Sequence, residues 1–102
     1  MPEPERRTFT SNELFNETAD FKATQLENPS NNQKLELYGL YKIGTGCDIT
    51  KEPKPGMFNI EKKMKLGRWQ DKVNEGLTVE TAQEKYIEFV ERVKNDPTFM
   101  RE

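Results

Sequence analysis

Two tyrosines and one lysine, Tyr38, Tyr41 and Lys42, are spaced so that they could bind a ligand together. On a helix, residues three or four positions apart lie on the same face. That face would carry two phenol rings, which offer stacking area and hydroxyl donors, beside a compact positive charge. A second cation, Lys65, follows later in the chain. The combination suits an aromatic ring that bears a phosphate, such as a nucleotide.

On spacing alone, simpler interpretations of these residues stay open. Tyr38 and Tyr41 could be partly buried core residues, because aromatic side chains are buried to a large extent in most proteins. Lys42 and Lys65 could be ordinary solvated lysines. Only the joint pattern favours a binding site.

Four helices are predicted to position these residues. The connector over 28–32 is rich in turn-forming residues, and two prolines exclude a helix from the loop over 45–58. Met57 and Phe58 are expected to anchor this loop by packing on the core. Together these helices and connectors predict an all-α domain of four helices. The predicted helices cover residues 11–26, 31–44, 60–75 and 79–95.

Capping residues and apolar spacing support these ranges. Thr10 and Glu13 fit a capping box, with Ser11 as an alternative cap for helix one. Asn59 and Thr78 are expected to cap helices three and four. The apolar residues that recur at helical spacing are expected to face the core. They are Leu37, Leu40 and Tyr41 in helix two, Ile60, Met64, Trp69 and Val73 in helix three, and Ala82, Tyr86, Phe89, Val90 and Val93 in helix four.

Size and composition limit the possible functions. A chain of 102 residues with 32% hydrophobic and 33% charged residues forms one domain with a small core. We expect a flexible N-terminal arm over 1–10, a folded domain over 11–96 and a C-terminal tail over 97–102. The formal net charge of −2 argues against general affinity for nucleic acid, which needs a basic excess.

The chain has no histidine and a single cysteine, Cys47. No internal disulfide can form, and together with the polar N-terminal sequence this predicts a reducing, cytoplasmic setting. A structural zinc site and a Ser–His–Asp or Cys–His catalytic set each need residues that the sequence lacks. No apolar run approaches the ~20 residues that span a bilayer, so stable membrane insertion is not expected.

An ordered set of short motifs runs through most of the chain. The motifs are Leu37-Tyr38-Gly39-Leu40-Tyr41-Lys42, Thr45, Asp48, Lys54-Pro55-Gly56-Met57-Phe58, Lys63-Met64-Lys65, Trp69, Ala82, Tyr86-Ile87 and Val90. In this order and spacing they resemble the acyl-CoA-binding protein family, over roughly residues 14–94. The resemblance implies a four-helix, up-down-down-up bundle that binds long-chain fatty acyl-CoA thioesters.

The resemblance also implies a biological role and a set of partners. The implied role is that of a carrier in lipid metabolism, which holds acyl-CoA as an intracellular pool and does not transform it. A monomer is the simplest expectation for the oligomeric state. Neither a cofactor nor a metal is expected. Enzymes that produce or consume acyl-CoA are the implied protein partners.

The family pattern suggests a role for each head-group residue. Tyr38 is expected to donate its hydroxyl to the 3′-phosphate of the ligand, and Lys42 and Lys65 to supply positive charge to the same group. Tyr41 is expected to lie against the adenine, and Tyr86 to lie near the head-group site.

Helix one is expected to contribute a cation and part of the groove for the acyl tail. Its only lysine, Lys22, takes the place of the family's basic residue. Phe15 and Ala19 are expected to line the groove, or Leu14 and Thr18 if the helix is read one residue earlier.

The sequence departs from the family pattern at a few positions. Leu66 stands where a tryptophan is usual, and Ile43-Gly44 replaces Gln-Ala. Cys47 takes the place of a common glycine, and Pro53 is an added loop residue. The expected phosphate ligands are all retained.

Two other functions compete with the carrier. A small helical bundle could present its groove to a partner peptide as an interaction module. An acyl-thioester hydrolase is the weakest alternative, because no catalytic set can be assembled without histidine.

Overall fold

The computed structural model describes residues 8–101, and every regular element among them is helical. The first helix begins as α1, Glu13–Glu17, and continues through a π-turn, Thr18–Lys22, and a 3-10 turn, Ala23–Gln25. The remaining α-helices are α2, Asn31–Gly44, α3, Ile60–Asn74, and α4, Val79–Asn95. A short 3-10 turn, Ile49–Lys51, interrupts the loop between α2 and α3.

Contacts between residue pairs give the helix directions. Gln83, early in α4, donates to the Gly44 carbonyl at the end of α2, over 2.8 Å. Gln33, early in α2, donates to the Pro97 carbonyl just after α4, over 2.9 Å. The two helices are therefore antiparallel.

The other two helices complete the topology. The first helix runs parallel to α4, and α3 runs parallel to α2. In each pair of helices, the residue numbers of neighbouring positions increase in the same direction. Close pairs are Asn12–Gln83 for the first helix and α4, and Glu36–Arg68 and Gly39–Lys72 for α2 and α3. In the same order along the helices, Leu26 and Val93 line one pocket and Leu35 and Met64 line another. The predicted up-down-down-up bundle is confirmed.

Side-chain caps fix the starts of α2, α3 and α4, and the caps of α3 and α4 are the predicted ones. Asn59 accepts the Lys62 amide at 3.1 Å, and Thr78 accepts the Thr81 amide at 3.1 Å. Ser30 forms a full capping box with Gln33 at the start of α2. The predicted bounds of α2 and α4 are confirmed, and α3 ends one residue earlier than predicted.

Helix one differs from the prediction at its start. The cap is Asn12, whose side chain accepts the Phe15 amide at 3.0 Å. The predicted Thr10 capping box and the Ser11 alternative are wrong. Thr10 has another use, because its hydroxyl donates to the buried Asn16 side chain at 2.6 Å.

The π-turn Thr18–Lys22 lies within the same helix. A π-turn holds one residue more than an α-turn, so the helix faces before and after it are offset by one position. The two sides of helix one before and after this turn are therefore not related by regular α-helical spacing.

The core lies between the first helix, α2 and α4. The predicted inward face of α4, Ala82, Tyr86, Phe89, Val90 and Val93, is buried throughout. Phe15, Leu40 and Trp69 are also fully buried. None of the helices in the described part of the chain is long and apolar enough to cross a bilayer.

The predicted apolar stripe of α3 is wrong except for Trp69. Ile60, Met64 and Val73 are exposed, and so are the expected loop anchors Met57 and Phe58. The reason is that α3 contacts α2 through one narrow face, which Trp69 and its charged neighbours fill.

Both ends of the described chain fold back onto the bundle. Residues 1–7 of the predicted arm lie outside the described residues, but Thr8 is buried and bonds to Asp20. At the other end, the Phe99 ring packs on Phe89 at 5.7 Å, and Gln33 donates to the Phe99 carbonyl.

Candidate functional site

Helices α2 and α3 bring two ammonium groups onto one tyrosine ring. Lys42 Nζ lies 5.6 Å from the centre of the Tyr38 ring, and Lys65 Nζ lies 5.7 Å from it. Lys42 is one turn after Tyr38 on α2, whereas Lys65 reaches the ring from α3. Both distances are within the range of a cation–π contact. Tyr38, Lys42 and Lys65, which the sequence analysis proposed as ligands of one phosphate, are therefore neighbours.

A buried tryptophan packs against Tyr38 and Lys42 on the side that faces the core. The Trp69 ring meets the Tyr38 ring edge-on at 6.3 Å. Lys42 Nζ also lies 5.6 Å from the centre of the Trp69 ring. Because Trp69 is almost completely buried, it fixes the position of Tyr38 from the core side.

A charged bridge holds α2 against α3. The Glu36 carboxylate accepts from Arg68 at 2.9 Å and pairs with Lys72 through its other oxygen. Arg68 also donates to the Asn32 side chain at 2.6 Å. The helices are close here, since a Cβ added to Gly39 would lie 3.1 Å from Lys72 Cγ. The bridge therefore sets the distance between Tyr38 on α2 and Lys65 on α3.

The bridge also affects the protonation of Lys72. Burial by itself lowers the pKa of this ammonium, but its hydrogen bond and charge interaction with Glu36, together with Glu75, raise the pKa above its ordinary value. Lys72 therefore stays charged at neutral pH.

A cleft opens beside Tyr38, between the 45–59 loop and α3. Three lysines, Lys54, Lys62 and Lys65, line it together with Leu66. Lys65 forms an exposed salt bridge with Glu61 at 3.2 Å, a contact that contributes little to stability. The cleft therefore combines positive charge with an aromatic wall.

Sequence reasoning did not single out Lys54 or Lys62 for a binding role. Lys54 was noted only as part of a motif. Lys62 lies three residues before Lys65 and so shares its helix face, a spacing that could have identified it. Leu66, which the sequence analysis marked as a departure from the family pattern, lines this cleft.

A shallow apolar groove lies on the other side of Lys65. Leu35 of α2 and Ile60 and Met64 of α3 line it, with Lys34 at its edge. Lys65 lines both the cleft and the groove, so the two lie on either side of its side chain. The sequence had assigned Ile60 and Met64 to the core, and the groove was therefore missed.

Tyr41 contacts the core and the N-terminal segment. Its ring lies 6.0 Å from that of Phe15 and 6.1 Å from that of Tyr86. Its hydroxyl is 2.9 Å from the Thr8 hydroxyl, which itself donates to Asp20 at 2.6 Å. Because a threonine hydroxyl has a single proton, Tyr41 must be the donor to Thr8.

Tyr86 is a buried phenol next to Tyr41. Burial is the main reason that the pKa of Tyr86 is raised, and Tyr41 and Asp20 raise it further. The hydroxyl therefore stays protonated over the physiological pH range.

Helix one places its candidate residues in different environments. Phe15 has no exposed surface and packs edge-on against Tyr86 at 5.2 Å, so it belongs to the core cluster. Ala19 is half-buried and packs on the same core cluster. In the alternative register, Thr18 is buried and Leu14 is half-exposed. The expected tail contacts of Phe15 and Ala19, or of Leu14 and Thr18, stay predictions.

Lys22 ends the π-turn and is half-buried. Its predicted role as a phosphate ligand is untested, and the groove between α2 and α3 lies elsewhere. Over residues 8–101, no group of histidine, cysteine, aspartate or glutamate side chains could hold a metal ion. The Cys47 thiol is exposed and free.

Comparison with a family model and comparison with individual known proteins point to the same family. The family model described as Acyl CoA binding protein matches residues 12–90. The chain is 39% identical to Acyl-CoA-binding protein homolog 1 of Caenorhabditis elegans, over 78% of this chain and 88% of that protein. It is 40% identical to Acyl-CoA-binding protein 2 of Saccharomyces pastorianus, over 79% of this chain and 90% of that protein. It is also 40% identical to Acyl-CoA-binding protein of Ricinus communis, over 79% and 87%. No solved structure was found to match the chain.

Proposed function

The chain belongs to the acyl-CoA-binding protein family, and from that premise we propose that it binds long-chain fatty acyl-CoA thioesters. We further propose that it acts as a monomeric, cytoplasmic carrier that keeps these thioesters as a pool for the enzymes that make or use them. It holds the ligand without a cofactor and without transforming it.

The observation that carries the proposal is the pair of ammonium groups over the Tyr38 ring. Lys42 and Lys65 come from different helices, and each lies within 6 Å of that ring centre. A phosphate at this point would accept charge-assisted hydrogen bonds from both lysines and a hydroxyl hydrogen bond from Tyr38. The 3′-phosphate of the CoA ribose is the group that we assign to this position.

The neighbouring cleft would accommodate the rest of the phosphorylated head group. Lys54 and Lys62 line it beside Tyr38. The pyrophosphate of CoA adds further negative charge, which these lysines would neutralise. The salt bridge between Lys65 and Glu61 is exposed and weak, so it would yield readily to a phosphate.

The groove between α2 and α3 would hold the acyl tail. Leu35, Ile60 and Met64 present apolar surface directly beside Lys65. Each methylene group that leaves water contributes about 0.8 kcal/mol. A long chain could therefore contribute several kcal/mol, which is offset in part by the cost of ordering the ligand.

Tyr41 keeps its proposed role as the partner of the adenine ring. It is half-buried, so part of its ring stays accessible for stacking. Its hydroxyl is engaged by Thr8, which leaves the ring face as the available contact. Tyr86 lies behind it as a positioning residue, and Lys22 remains the proposed cation from helix one.

A peptide-binding module is the alternative. A groove for an amphipathic helix would not need two lysines on one tyrosine ring, and the charged cleft beside it would have no ligand. The head-group cluster therefore favours the acyl-CoA carrier.

Isothermal titration with a long-chain acyl-CoA tests the proposal. Tyr38→Phe and Lys42→Ala should each weaken binding by about 1–3 kcal/mol, because each removes a hydrogen bond to a charged group. Lys85→Ala, on the exposed side of α4, is the matched control and should bind as the wild type does. Wild-type affinity in both site variants would remove the assigned roles.

The tail is tested by comparing ligands. Binding of a long-chain thioester should show a negative heat-capacity change, because alkyl surface leaves water. Free CoA should bind more weakly and with a smaller change. Equal affinity for free CoA and a long-chain acyl-CoA would contradict the tail groove.

A further inference from the structure

Four large apolar side chains stand exposed at the start of α3. Phe58 is 92% exposed, Met57 76%, Ile60 68% and Met64 51%. We call these four residues the apolar patch. Scattered exposed apolar residues are common, but a contiguous group of large ones marks an interaction surface.

The position of the apolar patch is set by the backbone at the start of α3 and by a hydrogen bond from one lysine. Met57 and Phe58 directly precede the Asn59 cap of α3, and Ile60 and Met64 are one turn apart on the same helix face. Lys63 reaches back from the helix to the Met57 carbonyl, over 2.8 Å. The patch is therefore a defined surface on the first turns of α3.

The same stretch carries the positive charge of an otherwise acidic chain. Residues 51–65 contain five lysines and two glutamates, which is a net charge of +3, whereas the whole chain has −2. The lysines are Lys51, Lys54, Lys62, Lys63 and Lys65. The remainder of the protein is thus clearly negative.

We propose that the apolar patch docks this protein on the surface of an anionic lipid bilayer. Phe58 and its neighbours would enter the interface between headgroups and acyl chains, while the lysine ammonium groups would contact anionic headgroups. A lysine near such a surface gains about 1 kcal/mol, roughly a fivefold tighter association. The negative remainder of the protein would be repelled, so only this face would approach the bilayer. The contact is peripheral and needs no spanning helix.

The docking surface adjoins the acyl groove. Ile60 and Met64 belong to the patch and also line the groove. A fatty chain could therefore pass between bilayer and groove along one apolar surface. This consequence depends on the proposed function, whereas the docking itself does not.

Co-sedimentation of the ligand-free protein with lipid vesicles tests the docking. The wild type should bind vesicles of phosphatidylcholine mixed with phosphatidylserine, and bind pure phosphatidylcholine vesicles much less. Phe58→Ser should weaken binding to the mixed vesicles about tenfold or more, since a buried phenylalanine contributes at least that much. Phe9→Ser is the matched control, because Phe9 is 82% exposed but lies outside the patch.

The charged part of the surface has its own test. Lys62→Gln should weaken binding to the mixed vesicles roughly fivefold. Lys85→Gln, on α4, should leave it unchanged. Added salt should weaken the wild type in the same assay.

Several results would overturn the proposal. Wild-type protein that stays in the supernatant with the mixed vesicles would do so, as would equal vesicle binding by the Phe58 and Phe9 variants. Self-association of the wild type in sedimentation velocity, abolished by Phe58→Ser, would show that a second copy of the chain covers the patch instead. Acyl-CoA titration separates the two ideas. Vesicle binding by a protein that fails to bind acyl-CoA would refute the carrier and leave the docking intact.

Discussion

Replacing Glu36 by glutamine should weaken the attachment of α2 to α3 and lower the free energy of unfolding, while the rest of the bundle keeps its contacts. The Glu36 side chain is 10% exposed and bonds two cations, Arg68 and Lys72. Breaking one partner of a fully buried ion pair costs 3–5 kcal/mol, whereas exposed pairs contribute 0–1 kcal/mol. The two partners of Glu36 are partly exposed, and an amide oxygen can still accept one hydrogen bond. We therefore expect a loss of about 2 kcal/mol in the free energy of unfolding.

Urea unfolding, followed by tryptophan fluorescence, measures this loss. The chain has a single tryptophan, Trp69, which is buried beneath Tyr38 and Lys42 and so reports on the site itself. Glu61→Gln is the matched control, because Glu61 is 79% exposed and bonds only Lys65 among the described residues. Its free energy of unfolding should change by less than about 0.5 kcal/mol.

The two variants should also differ in ligand binding. Glu36→Gln should weaken acyl-CoA binding, because Tyr38 and Lys65 are no longer held at a fixed separation. Glu61→Gln should bind as well as the wild type or slightly better, because Lys65 loses a competing carboxylate. Equal losses of stability in both variants would refute the view that the Glu36 bridge holds the two helices together.

Two further predictions concern packing and pH. Gly44→Ala should destabilise the protein by about 1–3 kcal/mol, since the new Cβ would lie 2.9 Å from the ring of buried Phe15. Gly67→Ala, whose Cβ would point into open space, should instead stabilise by up to about 1 kcal/mol, and opposite signs in urea unfolding would confirm the pair. The pKa of Tyr86 is raised in the folded state, so folding favours the neutral phenol. The contribution of Tyr86 to the free energy of unfolding is therefore complete below the ordinary tyrosine pKa of about 10, and it is lost as the pH rises further. The free energy of unfolding should therefore fall less steeply above about pH 10 in Tyr86→Phe than in the wild type, and identical slopes would contradict this.

Local chemistry made the helices predictable. Asn59 and Thr78 satisfy backbone amides that every helix start leaves free, so the sequence marks those starts directly. The inward face of α4 follows from apolar spacing, because that helix packs on two neighbours. The family motifs added the topology, which no local signal in this chain specifies.

The errors came from features that spacing cannot distinguish. Ile60 and Met64 have the spacing of a core stripe, but an exposed apolar surface has the same periodicity. The π-turn over Thr18–Lys22 was not foreseen, because no local pattern in the sequence indicates it. Thr10 was predicted to be a cap because Thr10 and Glu13 have the spacing of a capping box, whereas its hydroxyl bonds to Asn16.

The candidate site was predictable in part. Tyr38 and Lys42 are neighbours on one helix turn, so their pairing follows from the sequence. Lys65 needed the family pattern, because its approach depends on how α3 crosses α2. The Glu36 bridge that sets this crossing joins residues 32 positions apart in the chain, and it was not foreseen.

The folded-back ends at Thr8 and Phe99 have a practical consequence for anyone who shortens this protein. Trimming to residues 11–96 would remove the hydroxyl that engages Tyr41 and uncover the ring of Phe89. It would also leave the Gln33 amide without its two carbonyl acceptors. A minimal domain should therefore keep every residue from 8 to 101, and affinity tags should be joined through spacers outside that range.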